Sequence, residues 1–272
     1  MTELSGPAVR VVDSMDELVA VAEPGVVAAV WVPPALPDWH GELETALREH
    51  RLSIPRVVLQ DVSAEDVSDW LRQAVGSAAL SPGTLDALCA DVAGLVRAAA
   101  ELARSDRLLV RLLTATPNTH CGYHVDTTCP GAAPWGLLKT YHGTGTSYVD
   151  PARVSSTKDF YRYLSRRERL VRDLDRTSDA DEEEAGRLRA EVARLDAEPG
   201  FFSGDEAVSV APSWSVVAFK HLDASLMWAS HRTDLAWIHS SPMAGEPRLV
   251  VNVTGRDQLR RRVAPGARAT AR

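Results

Sequence analysis

Apolar positions along the chain change their spacing near residue 107. Before it, apolar residues recur at helical spacing from Leu85 to Leu102, and helix start signals stand at Ser63 and at Ser81-Pro82. After it, short apolar runs of strand length alternate with turn signals. The pattern predicts a mostly helical accessory layer over residues 1–106 and an antiparallel barrel or sandwich over residues 107–257.

A charged segment interrupts the strand pattern over about residues 155–200. Its apolar residues stand at helical spacing among many Arg, Asp and Glu, and a break falls near Thr177 to Asp181. The simpler interpretation is a solvated helical hairpin, and the alternative is a lid or a homodimer contact inserted between strands. The Arg- and Ala-rich stretch 258–272 is predicted to be a flexible tail.

The composition indicates a folded protein, with 45% hydrophobic and 25% charged residues. The net charge of -7 and the mixing of acidic with basic residues give no reason to expect a nucleic-acid partner. We find neither a secretory signal nor an apolar run of membrane-spanning length, so we expect a cytoplasmic protein without membrane contact. Three cysteines without a CxxC pair are expected to be reduced.

A His-x-Asp motif in a strand-like run is the first candidate for metal binding. Residues two apart in a strand share a face, so His124 and Asp126 can bind one ion, with His239 from a distant strand as third ligand. A second such motif is formed by His221 and Asp223. Its later histidines are so close in sequence that one short hairpin would supply the whole site. We therefore predict His124, Asp126 and His239 as the ligands.

Two histidines and one carboxylate leave three positions free on Fe(II), which suits a bidentate 2-oxo acid and dioxygen. A dianionic acid needs a fixed cation, and the planar fork of arginine matches a carboxylate. Arg248 follows His239 after a turn and begins a returning strand. We therefore predict that Arg248 binds the co-substrate carboxylate.

The order of these motifs resembles the core of the Fe(II)/2-oxoglutarate oxygenases, prolyl-hydroxylase-like members in particular. The resemblance covers roughly residues 107–255 and rests on His124-x-Asp126 and on the stretches 137–141, 210–219 and 239–248. It implies an α+β fold with a double-stranded β-helix (jelly-roll, cupin-like) core, N-terminal helices and an inserted charged helical segment. It also implies Fe(II) on His124, Asp126 and His239, Arg248 on the distal carboxylate of 2-oxoglutarate, and O2 as the oxidant.

The chain departs from the superfamily pattern near the co-substrate. A hydroxyl residue often stands two positions after the arginine, whereas this chain has Val250. Tyr141 or Thr140 can supply that hydrogen bond, and Lys139 is an alternative anchor because some relatives use a lysine on this strand. The wording of residues 121–126 and 140–146 also resembles an uncharacterised bacterial family known only as a domain of unknown function.

The predicted activity is oxidation of a small molecule, such as a free amino acid or a natural-product intermediate, by hydroxylation, desaturation or ring closure. Arg111, Arg153 and Arg232 are candidates for binding the substrate carboxylate, and Trp135 is a candidate for lining its cavity. One alternative is a cupin-like isomerase, lyase or dioxygenase that does not use 2-oxoglutarate. Another is a non-enzymatic metal-binding protein in which Cys121 joins the ligands.

Overall fold

The computed structural model describes residues 8–75, 79–105, 107–115, 122–130, 133–177, 181–204, 207–227, 231–242 and 245–255. The α-helices are α1 (His40–Arg48), α2 (Ala64–Ala74), α3 (Pro82–Ala103), α4 (Thr157–Arg176) and α5 (Glu182–Ala197). The strands are β1 (Val9–Val12), β2 (Ala28–Trp31), β3 (Val57–Val62), β4 (Leu108–Ala115), β5 (Thr127–Thr128), β6 (Trp135–Thr140), β7 (Ser147–Val149), β8 (Val208–Val210), β9 (Val216–Lys220), β10 (Leu222–Asp223), β11 (His239–Ser240) and β12 (Arg248–Gly255). Short 3-10 helices lie at Asp16–Ala22, Pro151–Arg153 and Ala224–Leu226.

The largest element of the fold is a seven-stranded sheet with the order β1-β2-β9-β6-β12-β4-β3. Three of its strands come from the part of the chain before residue 106, because β2 pairs with β9 and β3 pairs with β4. The boundary that we predicted at residue 106 therefore does not separate a helical layer from a β core. Strands β1, β2 and β3 form backbone hydrogen bonds by extending the sheet at its two ends.

A smaller three-stranded sheet, β11-β7-β8, is formed by strands from the second half of the chain. An isolated bridge between His124 and His239 adds a further pairing to its β11 edge. Strands β5 and β10 form a separate parallel pair. The strand expected over residues 123–128 is thus reduced to one bridge and two residues of β5.

Helices cover one face of the seven-stranded sheet. Buried side chains of α3, such as Leu88 and Val92, share one apolar cluster with Leu137 on β6 and Val251 on β12. Helix α2 begins at Ser63 with a capping box, and α3 begins after Ser81, whose hydroxyl accepts from the Thr84 amide. Both predicted helix starts are confirmed.

The opposite face of the large sheet encloses a second apolar cluster. Leu138 of β6 and Val250 of β12 pack there with Trp237 and Tyr148, which belong to the region of the smaller sheet. Side chains alternate along a strand, so the residues of β6 and β12 next to these two face the helices instead. This alternation decides which predicted site residues reach the space between the sheets.

The charged insertion forms the predicted helical hairpin, α4 and α5. Its outer surface carries ion pairs such as Arg166–Glu191 at 2.9 Å. Its inner surface contributes Phe160 and Val192 to a third apolar cluster that also contains Tyr123. The hairpin is therefore packed against the segment that carries His124. Among the described residues, no helix combines the length and apolar character needed to cross a membrane.

Candidate metal centre

Three side chains that are distant in sequence converge at one end of the space between the sheets. His124, Asp126 and His239 each offer one ligand atom, and these atoms all lie within 4.8 Å of one another. The Nε2 atom of His124 lies 3.8 Å from Oδ1 of Asp126, and the two imidazole centroids are 4.4 Å apart. Two imidazoles and one carboxylate are a donor set that suits a divalent first-row metal. The cluster can therefore hold a metal ion.

Backbone pairing brings the two histidines side by side. The amide of His124 donates to the carbonyl of His239 at 2.8 Å, and the amide of His239 donates back at 3.0 Å. Such a doubly hydrogen-bonded antiparallel pair fixes both Cα positions, so the two side chains leave the backbone as neighbours. This explains how residues 115 positions apart in the chain meet at one point.

The orientation of each imidazole is fixed by the backbone carbonyl two residues before it. Nδ1 of His124 donates to the carbonyl of Gly122 at 2.7 Å, and Nδ1 of His239 donates to that of Trp237 at 3.0 Å. A carbonyl only accepts hydrogen bonds, so the proton of each neutral ring stays on Nδ1. Each Nε2 is then left with its lone pair, which is the arrangement found in metal-binding histidines.

Electrostatics keep the cluster in the protonation states that a metal requires. Burial lowers the pKa of His239 to about 3, and the neighbouring His124 acts in the same direction. Burial alone would raise the pKa of Asp126, but His239, His124, His221 and Arg111 together hold it at about 2. At neutral pH His239 is therefore neutral and Asp126 is ionised, as metal ligands must be.

The helical hairpin supports the segment just before His124 through a buried polar network. Arg167 of α4 donates from Nε to Oδ1 of Asp196 at 2.8 Å and from Nη2 to Oδ2 at 2.9 Å. The hydroxyl of Tyr163 donates to the same Asp196 at 2.5 Å and accepts from the backbone amide of Tyr123 at 2.9 Å. A side chain at Gly122 would collide with Arg167, since its Cβ would lie 1.9 Å from Nε. This network was not predicted from the sequence, because its charged residues stand in a segment with the pattern of a solvated hairpin.

Aromatic rings enclose the His239 side of the cluster. The Trp237 ring stacks on the His239 imidazole with centroids 4.5 Å apart and planes at 18°, and Phe219 lies 5.4 Å away. Trp237 is completely buried, yet its Nε1 has no hydrogen-bond partner among the described residues. The rings exclude water from His239 and leave one unused donor beside it.

Arg248 lies at the start of β12, and it is 4% exposed. Strand alternation puts its side chain on the same face as Val250, toward the smaller sheet. Its Nη1 donates to the carbonyl of Thr144 at 3.2 Å, and its Cγ would lie 2.8 Å from a Cβ at Gly143. Thr140 is buried and stands opposite Val250 in the pairing of β6 with β12, so it shares this face.

Lys139 and Tyr141 face the other way, so the prediction that either binds the co-substrate beside the metal is wrong. Nζ of Lys139 donates to Oδ2 of Asp91 at 2.7 Å, and the hydroxyl of Tyr141 donates to the same atom at 2.6 Å. Asp91 belongs to α3, which covers the opposite face of the sheet. The two residues do share a face, as the spacing predicts, but it is the helix-covered one.

The four residues predicted to bind the substrate do not lie together in the structure. Arg111 faces the metal centre and contributes to the low pKa of Asp126. Trp135 lies on the helix-covered face with Lys139, and its ring lies 5.8 Å from Nζ of Lys220, so the prediction that it lines the substrate cavity is wrong. Arg153 is exposed, and Arg232 is paired with Asp234 at 2.5 Å. Within the described ranges, neither of these two forms a hydrogen bond or ion pair with the three ligands.

The two residues of the second His-x-Asp motif, His221 and Asp223, have different surroundings. His221 lies beside the cluster, with Nε2 3.9 Å from Oδ2 of Asp126. Asp223 instead accepts hydrogen bonds from the amide and hydroxyl of Ser225 at 2.8 and 2.6 Å. The motif was recognisable in the sequence, but the position of His221 next to Asp126 was not. Cys121, which the alternative metal-binding interpretation requires, lies outside the described residues.

The protein is thus an α+β protein with a candidate metal centre. Its two histidines and one carboxylate lie close enough together to hold a metal ion. The sequence matches the family described as "Protein of unknown function (DUF1826)" over residues 12–195, and the chain belongs to that family. The expectation drawn from residues 121–126 and 140–146 is thereby confirmed. Comparison with curated proteins finds no match.

Solved structures that are similar to this chain include the dioxygenase for auxin oxidation from rice, with 11% identity, a TM-score of 0.44, and coverage of 90% of this chain and 82% of that one. The dioxygenase for auxin oxidation 1 from Arabidopsis thaliana, in complex with 2-oxoglutarate, has 9% identity, a TM-score of 0.44 and coverage of 90% and 91%. The Kdo hydroxylase KdoO, described as a non-heme Fe(II) alphaketoglutarate dependent dioxygenase in complex with cobalt(II), has 10% identity, a TM-score of 0.44 and coverage of 90% and 88%.

Proposed function

We propose that this protein is a mononuclear non-haem Fe(II)/2-oxoglutarate oxygenase that oxidises a small molecule by hydroxylation, desaturation or ring closure. The observation that carries the proposal is the convergence of the His124 and His239 imidazoles with the Asp126 carboxylate. Both imidazoles already donate from Nδ1 to backbone carbonyls, so their free nitrogens are prepared for a metal. Two histidines and a carboxylate leave open positions on iron.

The strand order supports a double-stranded β-helix as the core. Strands β4, β12, β6 and β9 are consecutive neighbours in the large sheet, and β8, β7 and β11 form the sheet that faces them, with His124 paired beyond β11. The chain thus alternates between two four-membered layers, which is the arrangement of a jelly roll. In this arrangement the metal ligands lie at one open end.

Two buried polar residues on the face toward the smaller sheet support 2-oxoglutarate as the co-substrate. Arg248 provides a buried cation on the face toward the smaller sheet, and Thr140 provides a hydroxyl on the same face. One further donor, Nε1 of Trp237, is buried without a hydrogen-bond partner among the described residues. Buried polar groups are normally paired, so a carboxylate or keto oxygen of 2-oxoglutarate would give this donor an acceptor.

Iron bound at this site, together with 2-oxoglutarate and O2, would supply the oxidising chemistry. The protein's own residues do the positioning. His124, Asp126 and His239 hold the metal, Arg248 binds the distal carboxylate, and Trp237 with Phe219 keeps water from the His239 side. The hydrogen bonds to Nδ1 keep both imidazoles in the tautomer that binds a metal.

The proposal is tested by anaerobic titration of Fe(II) and then 2-oxoglutarate, with the weak visible charge-transfer band as the signal. We expect the band in the wild type and not in Asp126→Ala, whereas Asp223→Ala, which alters the aspartate of the second His-x-Asp motif, should keep it. Metal binding without the band would refute the use of 2-oxoglutarate and favour a cupin-like enzyme that does without it. Absence of metal binding would refute the site itself.

A further inference from the structure

A cavity of about 390 Å³ opens beside the Asp126 side of the metal centre. Arg111, His221 and Asp126 line it together with Gln60 and Thr128. Its volume is near the lower end of the range for small-molecule sites. The chemistry of its wall therefore limits which small molecules fit it.

Arg111 provides the positive charge of this cavity. It lies on β4 opposite Asn252 of β12, so its side chain is on the face toward the metal centre. The residue is half-buried, and within the described ranges it forms no hydrogen bond or salt bridge. Leaving a partly desolvated guanidinium without an acceptor is costly, so the position is suited to a residue that binds an anion.

His221 provides a second unused polar group on the same wall. It is 6% exposed, and its Nε2 has no hydrogen-bond partner among the described residues. Gly136 makes room for it, because a Cβ there would lie 2.5 Å from that nitrogen. The small residue at position 136 thus leaves room for the imidazole beside the cavity, where its Nε2 has no hydrogen-bond partner within the described ranges.

We propose that Arg111 and His221 bind a carboxylate of the substrate, so that the enzyme acts on a small organic acid. The inference rests on the proposed function, because a divalent metal on Asp126 would compensate the charge that otherwise repels an incoming anion. With Asp126 compensated, Arg111 is the remaining charged group among the described residues of the cavity wall, and one guanidinium matches one carboxylate. A phosphate ester would carry a second charge, for which the described residues of this wall offer no further cation.

The test uses protein loaded with Mn(II) and 2-oxoglutarate, which does not turn over, and measures relaxation of probe protons by the bound ion. The probes are acid and amide pairs of equal shape, phenylacetate with phenylacetamide and N-acetylalanine with its amide. We expect each acid to bind more tightly than its amide. Arg111→Met should weaken acid binding roughly 10- to 100-fold and leave amide binding unchanged, because it removes a charge-assisted hydrogen bond. Arg153→Met, at an exposed arginine, is the matched control and should change neither.

The outcomes separate this inference from the proposed function. If the wild type fails to bind Mn(II) or 2-oxoglutarate, the proposed function fails. If both bind normally but acids and amides bind equally, or Arg111→Met changes nothing, only the assignment of the substrate class is overturned. Loss of 2-oxoglutarate or Mn(II) binding in Arg111→Met would also overturn it, because the arginine would then serve the co-substrate or the metal.

Discussion

Removal of a single hydroxyl on the helical hairpin should weaken metal binding although that hydroxyl is not a ligand. The Tyr163 hydroxyl accepts from the Tyr123 amide at 2.9 Å and donates to Asp196 at 2.5 Å. Burial and the charge of Asp196 raise the pKa of Tyr163 well above its usual value, so the hydroxyl keeps its proton at neutral pH. The adjacent Gly122 carbonyl holds Nδ1 of His124. Tyr163→Phe therefore releases the segment that orients a metal ligand.

The magnitude follows from the groups left unpaired. In Tyr163→Phe the buried amide of Tyr123 loses its acceptor and the Asp196 carboxylate loses one donor, which should cost about 2–4 kcal/mol of unfolding free energy. Asp196 keeps its two bonds from Arg167, so the ion pair persists and the variant should fold. Loss of support behind a metal-binding histidine typically lowers metal affinity about 10- to 100-fold, and we expect roughly tenfold here.

Tyr161→Phe is the matched control, because it removes the same group from the same helix. Its hydroxyl is paired with Nδ1 of His231 at 2.9 Å, away from residues 122–124. We expect a comparable loss of stability, about 1–3 kcal/mol, without a change in metal affinity. Urea unfolding gives the first quantity for both variants, and anaerobic Co(II) titration gives the second.

Equal loss of metal affinity in both variants would contradict a specific role of Tyr163, since general loosening of the hairpin would then explain the effect. A Tyr163→Phe variant that lost stability but bound Co(II) as tightly as the wild type would contradict it as well. In that case the hydrogen bond to Tyr123 would support only the fold.

Further predictions concern the co-substrate, the packing and the pH dependence. Arg248→Ala should weaken 2-oxoglutarate far more than Fe(II) in calorimetric titrations, whereas Lys139→Ala should lower stability through Asp91 and leave 2-oxoglutarate affinity unchanged. Gly136→Ala should cost about 1–3 kcal/mol in urea unfolding because its Cβ overlaps His221, while Gly94→Ala in α3, which meets nothing within 4 Å, should stabilise by about 0.5–1 kcal/mol. Burial lowers the pKa of His231 below 6.5, so at lower pH the imidazole of the unfolded chain is protonated more readily than that of the folded protein. The free energy of unfolding should therefore be highest above pH 6.5 and decrease below it, and His231→Gln should make this decrease smaller.

Local patterns in the sequence were sufficient for several features of the structure. The cap residues Ser63 and Ser81 mark where α2 and α3 begin, because capping depends only on residues within one turn. The break near Thr177 separates α4 from α5 for the same local reason. The two-residue spacing also predicted that His124 and Asp126 lie together, although in the structure only His124 takes part in a backbone bridge and Asp126 lies outside the strands.

Features that depend on distant partners were not predictable from these patterns. Alternation indicated that Lys139 and Tyr141 share a face, but only the packing of α3, with Asp91, decides that this face is turned away from the metal centre. The buried bond between Arg167 and Asp196 likewise joins two helices whose charged residues look solvent-exposed in the sequence. Neither pairing leaves a periodic signal.

The sequence by itself determined the chemical types at the centre, which are two histidines and a carboxylate. The tertiary structure decided their convergence, because the backbone bridge between His124 and His239 forms only when distant segments pair. It also decided that the first hundred residues add strands to the main sheet, and that the hairpin supports His124. Preferences for helix, strand and caps depend on a few neighbouring residues. Which face of a strand is turned to the metal centre, and which segments lie side by side, depends on packing between distant parts of the chain.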